Sequence, residues 1–561
     1  MKDPWWKRSV VYQIYPKSFK DTTGNGVGDL QGIISKLDYL TELGVDIIWL
    51  TPIYKSPQRD NGYDISDYFS IHEEYGTMAD FDLLLTEAHK RNMKVIMDIV
   101  VNHTSTEHAW FKQSRESMKN KYRDFYIWHD DMGKEPNNWK SKFGNSAWEL
   151  DDQTGQYYLH LFDITQADLN WENEQVREHV YKMMHFWFKK GVDGFRLDVI
   201  NLISKDQQFP NDDITRSGAT GDGRKFYTDG PRVHEFIHEM NRQVFSKYDS
   251  MTVGEMSSTT IDHCIKYTNP NRQELDMTFN FHHLKVDYPN GEKWEVANFN
   301  FLQLKQILST WQSEMIKGGG WNALFWCNHD QPRIVSRFGN DQRYHKESAK
   351  MLATTIHMMQ GTPYIYQGEE IGMTNPNFDR IEDYRDVESL NMYEIKKKEG
   401  MKENEIINIL KQKSRDNSRT PIQWDNSKNA GFSEGTPWIN VSANYKHINA
   451  VQALRDNNSV FYHYKKLISL RKKYDIITYG DFQLILEDHP YIFAYVRSFK
   501  NEKLLVINNF YAKEAPFLLP ETVEINGYSN SILLSNYDGS PMNINNIELR
   551  PYESIIYHLT K

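Results

Sequence analysis

Short apolar stretches alternate with longer amphipathic stretches along most of the chain. Each apolar stretch is about five to eight residues long and has little polar alternation, which favours strands buried on both faces. Amphipathic stretches, such as residues 30–43 and 80–91, lie between most of them and predict helices. The predicted strands are residues 10–15, 45–50, 94–101, 192–199, 251–255, 276–281, 322–326 and 363–368.

Strand–helix alternation repeated eight times is typical of a (β/α)8 barrel, so we predict an α/β fold of the TIM-barrel type. Two segments interrupt the alternation. Residues 104–174 are too long for an ordinary loop and rich in Trp, Asn, Gly and Tyr, which predicts a small inserted domain after the third strand. Residues 375–458 are charged and predict an elaborated, partly helical loop after the eighth strand.

The pattern changes near residue 479 to alternating strand-like stretches at residues 483–486, 492–497, 504–508 and 531–534. This change predicts a separate antiparallel β-sandwich domain. The predicted domains are residues 1–103 with 175–478 for the catalytic barrel, 104–174 for the inserted domain, and 479–561 for the C-terminal domain.

Composition narrows the class of protein. The 561 residues hold 66 Lys and Arg against 76 Asp and Glu, a net charge of 66 − 76 = −10, which argues against a nucleic-acid partner. The two cysteines cannot make a disulfide framework, and no apolar stretch is typical of a signal peptide or membrane span. We therefore expect a soluble cytoplasmic protein that binds neither nucleic acid nor membrane.

The segment Gly194–Asp198 (GFRLD) lies at the end of the fourth predicted strand. Residues two apart in a strand point to the same side, so Arg196 and Asp198 share a face. An arginine so close is expected to keep the carboxylate ionised, as a nucleophile requires. A structural ion pair is the alternative that this segment alone leaves open.

Further ionisable side chains follow other predicted strands, where TIM-barrel enzymes place their catalytic groups. Several carboxylates converging on one face cost stability, and such clusters usually mark a functional site. The side chains at these strand ends are Asp98, His103, Asp198, Glu255, His329 and Asp330.

The segments that carry these residues resemble the four signature regions of the α-amylase family of retaining glycoside hydrolases. They read DIVVNH at 98–103, GFRLD at 194–198, VGE at 253–255 and NHD at 328–330, and the resemblance runs from residue 5 to the C-terminus. It implies a catalytic barrel with an inserted domain and a C-terminal β domain. It also implies that Asp198 is the nucleophile, Glu255 the general acid/base and Asp330 a third carboxylate that holds sugar hydroxyls. Retention needs the first two carboxyl groups about 5–5.5 Å apart.

The segment QADLN at 166–170 resembles the marker of the oligo-1,6-glucosidase subgroup, whose members remove one glucose from a non-reducing end. For Tyr63 and Phe162, packing in the core is the alternative role. The residues that match the glucose pocket of the subgroup are Asp60, Tyr63, His103, Phe162, Gln166, Arg196, His329 and Arg415.

Within the subgroup, residues 281–288 (FHHLKVDY) and Lys293 resemble the branch whose members hydrolyse α,α-trehalose 6-phosphate to glucose and glucose 6-phosphate. Oligo-1,6-glucosidases carry acidic residues where His282 and Lys285 stand. Loops after barrel strands face the leaving group, so positive charge there suits a phosphate. We predict that Lys285, His282 and Lys293 bind the phosphate. A solvated basic loop is the alternative, and the activity would then be that of an oligo-1,6-glucosidase on isomaltose-type α-1,6 glucosides.

A possible metal site lies in the first loop. Asp21, Thr23, Asn25, Val27 and Asp29 match the first ligand positions of an EF-hand-like calcium loop, and the resemblance implies a structural Ca²⁺ or Mg²⁺ there. The loop has Gly32 where an EF-hand has its bidentate Glu, so a weak site or an Asx-rich turn remain alternatives. No cofactor is expected for the chemistry itself.

A non-catalytic relative that serves as a scaffold is a further alternative from a different class. Such relatives lose the catalytic carboxylates and carry a membrane anchor, whereas this sequence keeps Asp198, Glu255 and Asp330 and predicts no anchor. We expect a monomeric enzyme whose partner is a small phosphorylated disaccharide.

Overall fold

Eight parallel strands form the barrel at the centre of the computed structural model, which describes residues 3–212 and 221–561. In the sheet, the order of the strands is sixth, fifth, fourth, third, second, first, eighth, seventh, and a bridge between Thr278 and Asn322 closes the sixth against the seventh. The predicted TIM barrel is therefore confirmed. The barrel strands are Val11–Ile14, Ile47–Leu50, Lys94–Val100, Gly194–Asp198, Met251–Glu255, Met277–Phe279, Ala323–Leu324 and Thr362–Tyr366.

Helices surround the barrel and bury one face each against it. The amphipathic stretch at residues 30–43 forms two helices rather than the one predicted. The break follows Ser35, whose hydroxyl donates to the Gly32 carbonyl at 2.7 Å and so competes with the helical hydrogen bonds. The helices around the barrel are Leu30–Ile34, Leu37–Leu43, Met78–Lys90, Glu174–Lys190, Val233–Gln243, Ile261–Thr268, Phe301–Gly318, Ile334–Phe338, His345–His357, Val460–Lys473 and Asp475–Tyr479.

The fourth strand reaches its position through two glycines. Gly191 ends the preceding helix in the left-handed conformation, at φ 106°, which glycine adopts at little cost. At Gly194 an added Cβ would lie 2.0 Å from the Met251 carbonyl oxygen, so only glycine lets the fourth and fifth strands approach. Asp198 and Glu255 end these two adjacent strands, and their side chains therefore emerge side by side.

The inserted region begins and ends at one strand pair, in which His103–Ser105 runs antiparallel to Gln166–Asp168. Between these two strands, the chain first forms the helix Ala109–Glu116. A three-stranded sheet follows, in which Gln156–Leu159 lies between Trp128–Asp130 and Trp148–Asp151. The strand pair holds His103 and Gln166 at the barrel mouth.

The elaborated loop after the eighth strand is largely helical, as predicted, and its Val387–Lys398 and Glu403–Lys413 helices share a small apolar core. The helix Asp416–Arg419 returns the chain to the barrel mouth, and Ala450–Arg455 leads to the last barrel helices.

The C-terminal region is antiparallel, as predicted, and an apolar core lies between its sheets. Sequence patterns missed the strands Ala515–Leu518, Asn546–Leu549 and Ser554–Thr560. The first two are short edge strands with alternating exposure, so their apolar signal is weak. The strands between residues 483 and 560 are Gln483–Ile485, Ile492–Phe499, Glu502–Asn509, Ala515–Leu518, Ser529–Ser535, Asn546–Leu549 and Ser554–Thr560.

Across both described ranges, we find no helix long and apolar enough to cross a membrane.

Candidate active site

One buried guanidinium connects the carboxylates at the barrel mouth. Nη1 of Arg196 donates to Oδ1 of Asp198 at 2.6 Å and to Oδ1 of Asp98 at 2.7 Å, and Nη2 donates to Oε2 of Glu255. Two carboxyl groups held by neighbouring nitrogens of one guanidinium fit the separation of about 5–5.5 Å in retaining glycosidases better than the ~6.5–9.5 Å of inverting ones. The shared face predicted for Arg196 and Asp198 is confirmed.

The ionisation of Asp198 depends on burial and on more neighbours than Arg196. Burial raises the pKa of Asp198 well above its usual range; Arg196 opposes this, but Glu255 and Asp98 raise it further. Burial likewise raises the pKa of Asp98 to about 6, although Arg196 again lowers it. One guanidinium cannot neutralise the charges of these buried carboxylates, so we infer that the cluster retains a shared proton near neutral pH. Arg196 favours the ionised form of Asp198, as expected, but burial and the neighbouring carboxylates oppose it, so the full ionisation of Asp198 stays a prediction.

The backbone after Asp198 is strained. Val199 has a positive φ of 35°, a conformation that costs energy for a β-branched residue and that clusters at functional sites. In this conformation its N–H donates to Oε2 of Glu255 at 3.2 Å. The turn therefore ties the end of the fourth strand to the carboxylate of the fifth.

Asp330 lies among positive groups instead of carboxylates. Its Oδ1 accepts from Arg419 at 2.7 Å and from Arg415 at 3.4 Å. Burial alone would raise the pKa of Asp330, but the guanidinium groups of Arg415 and Arg419 hold it well below its usual range. Asp330 is thus a permanent anion, suited to accept hydrogen bonds from sugar hydroxyls.

His329 presents an unused donor or acceptor to the same cavity. Its ring stacks on Tyr63 with centroids 5.2 Å apart, and its Nδ1 lies 2.8 Å from Nε2 of Gln13. Because that amide nitrogen is a donor, Nδ1 accepts and Nε2 carries the proton. Burial lowers the pKa of His329 to about 3, so the ring is neutral. Its buried Nε2 has no hydrogen-bond partner within the described residues, although Asp330 is 3.2 Å away, which fits a donor to a ligand.

The remaining predicted pocket residues form one hydrogen-bonded group. Arg415 Nη2 donates to Asp60 Oδ1 at 3.0 Å, and Gln166 Nε2 lies 3.1 Å from Asp60 Oδ2 and 3.2 Å from His103 Nε2. Phe162 packs on the His103 ring at a centroid distance of 5.1 Å. Burial raises the pKa of Asp60 to about 7 despite Arg415, and lowers that of His103 to about 4. The structure therefore brings all of the predicted glucose-pocket residues to one barrel mouth.

Comparison with known proteins places this site in a family. The family model for the α-amylase catalytic domain matches residues 13–480, and a model for the C-terminal domain of the α-amylase SusG matches residues 492–556. The chain belongs to the α-amylase family.

Individual relatives in the family match over full length. Trehalose-6-phosphate hydrolase of Bacillus subtilis is 68% identical over 100% of this chain and 99% of the relative. Oligo-1,6-glucosidase of Parageobacillus thermoglucosidasius is 56% identical over 100% of both chains. The crystal structure of Bacillus licheniformis trehalose-6-phosphate hydrolase superposes with a TM-score of 0.97 at 70% identity and covers 100% of both chains.

The three residues predicted to bind phosphate lie in different surroundings. Lys285 directly follows the turn His282–Leu284, and no ion pair holds it within the described ranges. His282 packs on Trp311 at a centroid distance of 5.2 Å, and burial, assisted by Lys285, lowers its pKa to about 4. Lys293 forms an ion pair with Glu388 at 2.6 Å. Of the three, Lys285 is therefore the cation left available to a ligand.

The sequence analysis did not identify two charged residues of this site, Arg419 and Asp386. Arg419 donates to Asp330, and Asp386 accepts from Arg415 Nε at 2.9 Å and lies 3.3 Å from Arg419 Nη1. Arg419 could have been found from the sequence, because it lies four residues after Arg415 and so shares its face of a helical turn. Asp386 caps a helix in a different segment, and no sequence pattern connects it with the site.

The predicted metal loop is satisfied by hydrogen bonds from protein. Asp21 accepts from the N–H groups of Thr23, Gly24 and Gly26, each at 2.8 Å, and from the Ser433 hydroxyl. Asp29 accepts at 2.7 Å from both the Thr22 and Gly32 N–H groups, and the side chain of Asn25 caps its own turn through Val27 N–H. These contacts are those of the Asx-rich turn that the sequence left open, and an ion bound by the same oxygens stays a prediction.

Proposed function

We propose that this chain is a retaining α-glucosidase that hydrolyses α,α-trehalose 6-phosphate to glucose and glucose 6-phosphate. The observation that carries the proposal is Lys285, a cation that follows the sixth barrel strand and has no carboxylate partner in the described residues. Two relatives named trehalose-6-phosphate hydrolase, at 68% and 70% identity, support it.

In the proposed reaction, a carboxylate oxygen of Asp198 attacks C1 of the glucose while Glu255 donates a proton to the leaving oxygen. A glucosyl–Asp198 ester and free glucose 6-phosphate result. Glu255, now a carboxylate, then takes a proton from water, whose oxygen attacks C1 and releases Asp198 and α-glucose. The two inversions give net retention, and the proton shared within the carboxylate cluster supplies the acid of the first step.

The pocket around Asp330 holds the glucose in this scheme. Asp330 and Asp60 accept hydrogen bonds from hydroxyls, while His329, His103, Gln166 and Arg415 are available as donors. Tyr63 and Phe162 line the pocket with aromatic faces, which suit the C–H faces of a sugar ring. Cleavage from a non-reducing end is part of this proposal, because the segment QADLN at 166–170 resembles the marker of a subgroup that cuts there.

The leaving sugar lies on the side of the loop after the sixth strand. There Lys285 bonds the phosphate directly, with His282 beside it. Lys293 supports this side through Glu388, which also lies 3.4 Å from Nε of Arg415. We propose further that the enzyme is a cytoplasmic monomer that needs no cofactor for the chemistry.

An oligo-1,6-glucosidase is the second candidate, because relatives with that name are 56% identical over the full chain and the glucose pocket alone does not select for phosphate. The test is kcat/KM for trehalose 6-phosphate, trehalose and isomaltose measured side by side. We expect kcat/KM for trehalose 6-phosphate to exceed that for the other two sugars by at least about tenfold. This factor corresponds to the lower end of the free energy that a charge-assisted hydrogen bond contributes. Isomaltose as the best substrate would establish the second candidate instead.

A further inference from the structure

A set of cations beyond the predicted residues lies on the leaving-group side of the site. Lys142 belongs to the inserted region, where its N–H donates to the Leu161 carbonyl at 2.8 Å. Arg224 begins a short helical turn in the segment after the fourth strand, and Lys285 follows the sixth strand. Three separate parts of the chain therefore each contribute one positive charge.

The segments that carry Lys142 and Arg224 are in tight contact. The N–H of Lys140 donates to the Asp222 carbonyl at 3.0 Å. At Gly223, where φ is 84°, an added Cβ would lie 2.3 Å from the Trp139 ring, so this turn packs against the inserted region without room for a side chain. The position of Arg224 relative to Lys142 is therefore fixed by backbone contacts.

Electrostatics place Lys285 with these two residues. Burial and Arg224 together lower the pKa of Lys285 to about 8. Burial, Arg224 and Lys285 lower the pKa of Lys142 to about 7, although Asp222 opposes them. Lys285 is also exposed to solvent. The charges of the three side chains therefore act on one another where a ligand can reach Lys285.

Negative charge at this cluster does not balance the positive charge. Arg224 pairs with Asp222 at 2.6 Å, but neither Lys142 nor Lys285 has an ion pair within residues 3–212 and 221–561. Lys142 instead lies 5.0 Å from the centroid of the Tyr227 ring. Three cations held together with one carboxylate, Asp222, leave an excess of positive charge that costs stability, which is typical of a site built for an anion.

The cluster also adjoins the catalytic residues. Tyr227, beneath Lys142, packs in one apolar cluster with Val199, the residue after Asp198, and with Phe162 of the glucose pocket. One apolar cluster therefore connects the wall under Lys142 to the turn after Asp198.

We propose that Lys142 and Arg224 complete, together with Lys285, a cradle of three cations for the phosphate monoester of the leaving sugar. This inference rests on the proposed function and adds two specificity residues to it. A phosphate monoester carries about −1.5 to −2 charges and three acceptor oxygens at pH 7, which matches cations from three directions. The inserted domain then contributes directly to substrate selection.

The test is the ratio of kcat/KM for trehalose 6-phosphate to that for p-nitrophenyl α-glucoside, which has no phosphate. We expect Lys142→Met and Arg224→Gln each to lower this ratio by roughly 10- to 150-fold. This factor corresponds to the free energy that one charge-assisted hydrogen bond contributes. The matched control is Lys140→Met, which removes an equal charge from an exposed side chain two residues away. This control variant should keep the ratio within about threefold of the wild-type value.

A second measurement separates charge recognition from damage to the fold. Glucose 6-phosphate should inhibit hydrolysis of p-nitrophenyl α-glucoside, and its inhibition constant should rise with pH through about 7 to 8 as Lys142 and Lys285 lose their protons. Lys142→Arg should keep the inhibition and move its loss to higher pH, because Arg stays charged. A structural role for Lys142 predicts no such shift.

The outcomes distinguish the inference from the function on which it rests. If the wild-type enzyme prefers trehalose 6-phosphate but both variants keep its selectivity ratio, the cradle is wrong and the function stands. If the enzyme prefers isomaltose, yet glucose 6-phosphate inhibits it with dependence on Lys142 and Arg224, the anion site stands and the function is wrong. An inhibition constant that neither variant changes overturns the cradle whatever the substrate.

Discussion

Two charged regions of this molecule lie side by side and are built in opposite ways. The catalytic floor consists of Arg196, Asp98, Asp198, Glu255, Asp330, Arg415 and Arg419. The basic rim consists of Lys142, Arg224 and Lys285. In the floor every charge has an opposite charge within hydrogen-bonding distance, whereas two of the three rim cations have none in the described chain.

The difference shows what each region does. Arg196 and Glu255 of the floor are nearly sealed from solvent, with side chains 1% and 10% exposed, whereas Asp330 is 25% exposed. Their mutual bonds are formed before substrate arrives. At the rim, Arg224 and Lys285 are exposed and Lys142 is half-buried, and neither lysine has an ion pair in the described chain. In the proposed function, the paired charges therefore carry out the chemistry and the unpaired charges select the phosphorylated substrate.

The largest expected effect comes from breaking the floor. Asp198→Asn and Glu255→Gln keep the shape of each side chain but remove the nucleophile or the proton donor. We expect kcat to fall by at least about 10²–10⁴-fold, the usual contribution of a positioned catalytic group. The loss should be as large on p-nitrophenyl α-glucoside as on trehalose 6-phosphate for the nucleophile variant. Retention of kcat within about tenfold in either variant, with an intact fold by circular dichroism, contradicts the assignment.

A smaller and selective effect is expected at the rim. Lys285→Ala removes a cation that only the phosphorylated substrate uses, so the ratio of kcat/KM for trehalose 6-phosphate to that for trehalose should fall roughly 10- to 150-fold. His282→Ala should lower the ratio less, since burial keeps its imidazole neutral at the working pH. Added salt should weaken the wild-type preference. An equal loss on both substrates would mean that Lys285 supports the pocket instead of the phosphate.

The pH profile sharpens the comparison, because the floor holds a proton and the rim loses protons only at higher pH. Asp198 attacks as the anion, and its pKa is raised by burial and by Glu255. As pH falls through this raised pKa the carboxylate is protonated, so kcat/KM for p-nitrophenyl α-glucoside should fall by about tenfold per pH unit. We expect this acidic limb to lie above the pH at which an ordinary Asp titrates, in a profile from pH 4 to 9. A flat profile down to pH 4.5 would show that Asp198 is fully ionised.

The smallest effect is expected in the Asp21–Asp29 loop, which belongs to neither region. Because its carboxylates already accept protein hydrogen bonds, a chelator should lower Tm by no more than about 2–4 °C, equivalent to ~1 kcal/mol in a domain of this size. kcat at 25 °C should not change. Calorimetry and kinetics on chelated enzyme check both, and an immediate loss of kcat that Ca²⁺ reverses would contradict a structural role.

The sequence alone determined the barrel and the floor to a large extent. Each barrel strand is a short apolar run, and a residue at the end of such a run must emerge at one mouth of a parallel barrel. Position along the chain was therefore enough to bring Asp198, Glu255 and Asp330 together. The hydrophobic pattern missed the break between the first two helices, because this break depends on one side-chain hydrogen bond, from Ser35.

Only the tertiary structure added Lys142 and Arg224 to the predicted Lys285 at the rim, and only the tertiary structure showed what acts on the protonation of the floor. Lys142, Arg224 and Lys285 lie in three segments with no shared pattern, and packing around Trp139 and Tyr227 is what brings the first two together. Arg196 lies beside Asp198 in sequence, which predicted an ionised pair. The raised pKa of Asp198 arises instead from burial and from Glu255, 57 residues away along the chain but on the next strand. Charge balance depends on all neighbours in space, and a linear pattern records only those along the chain.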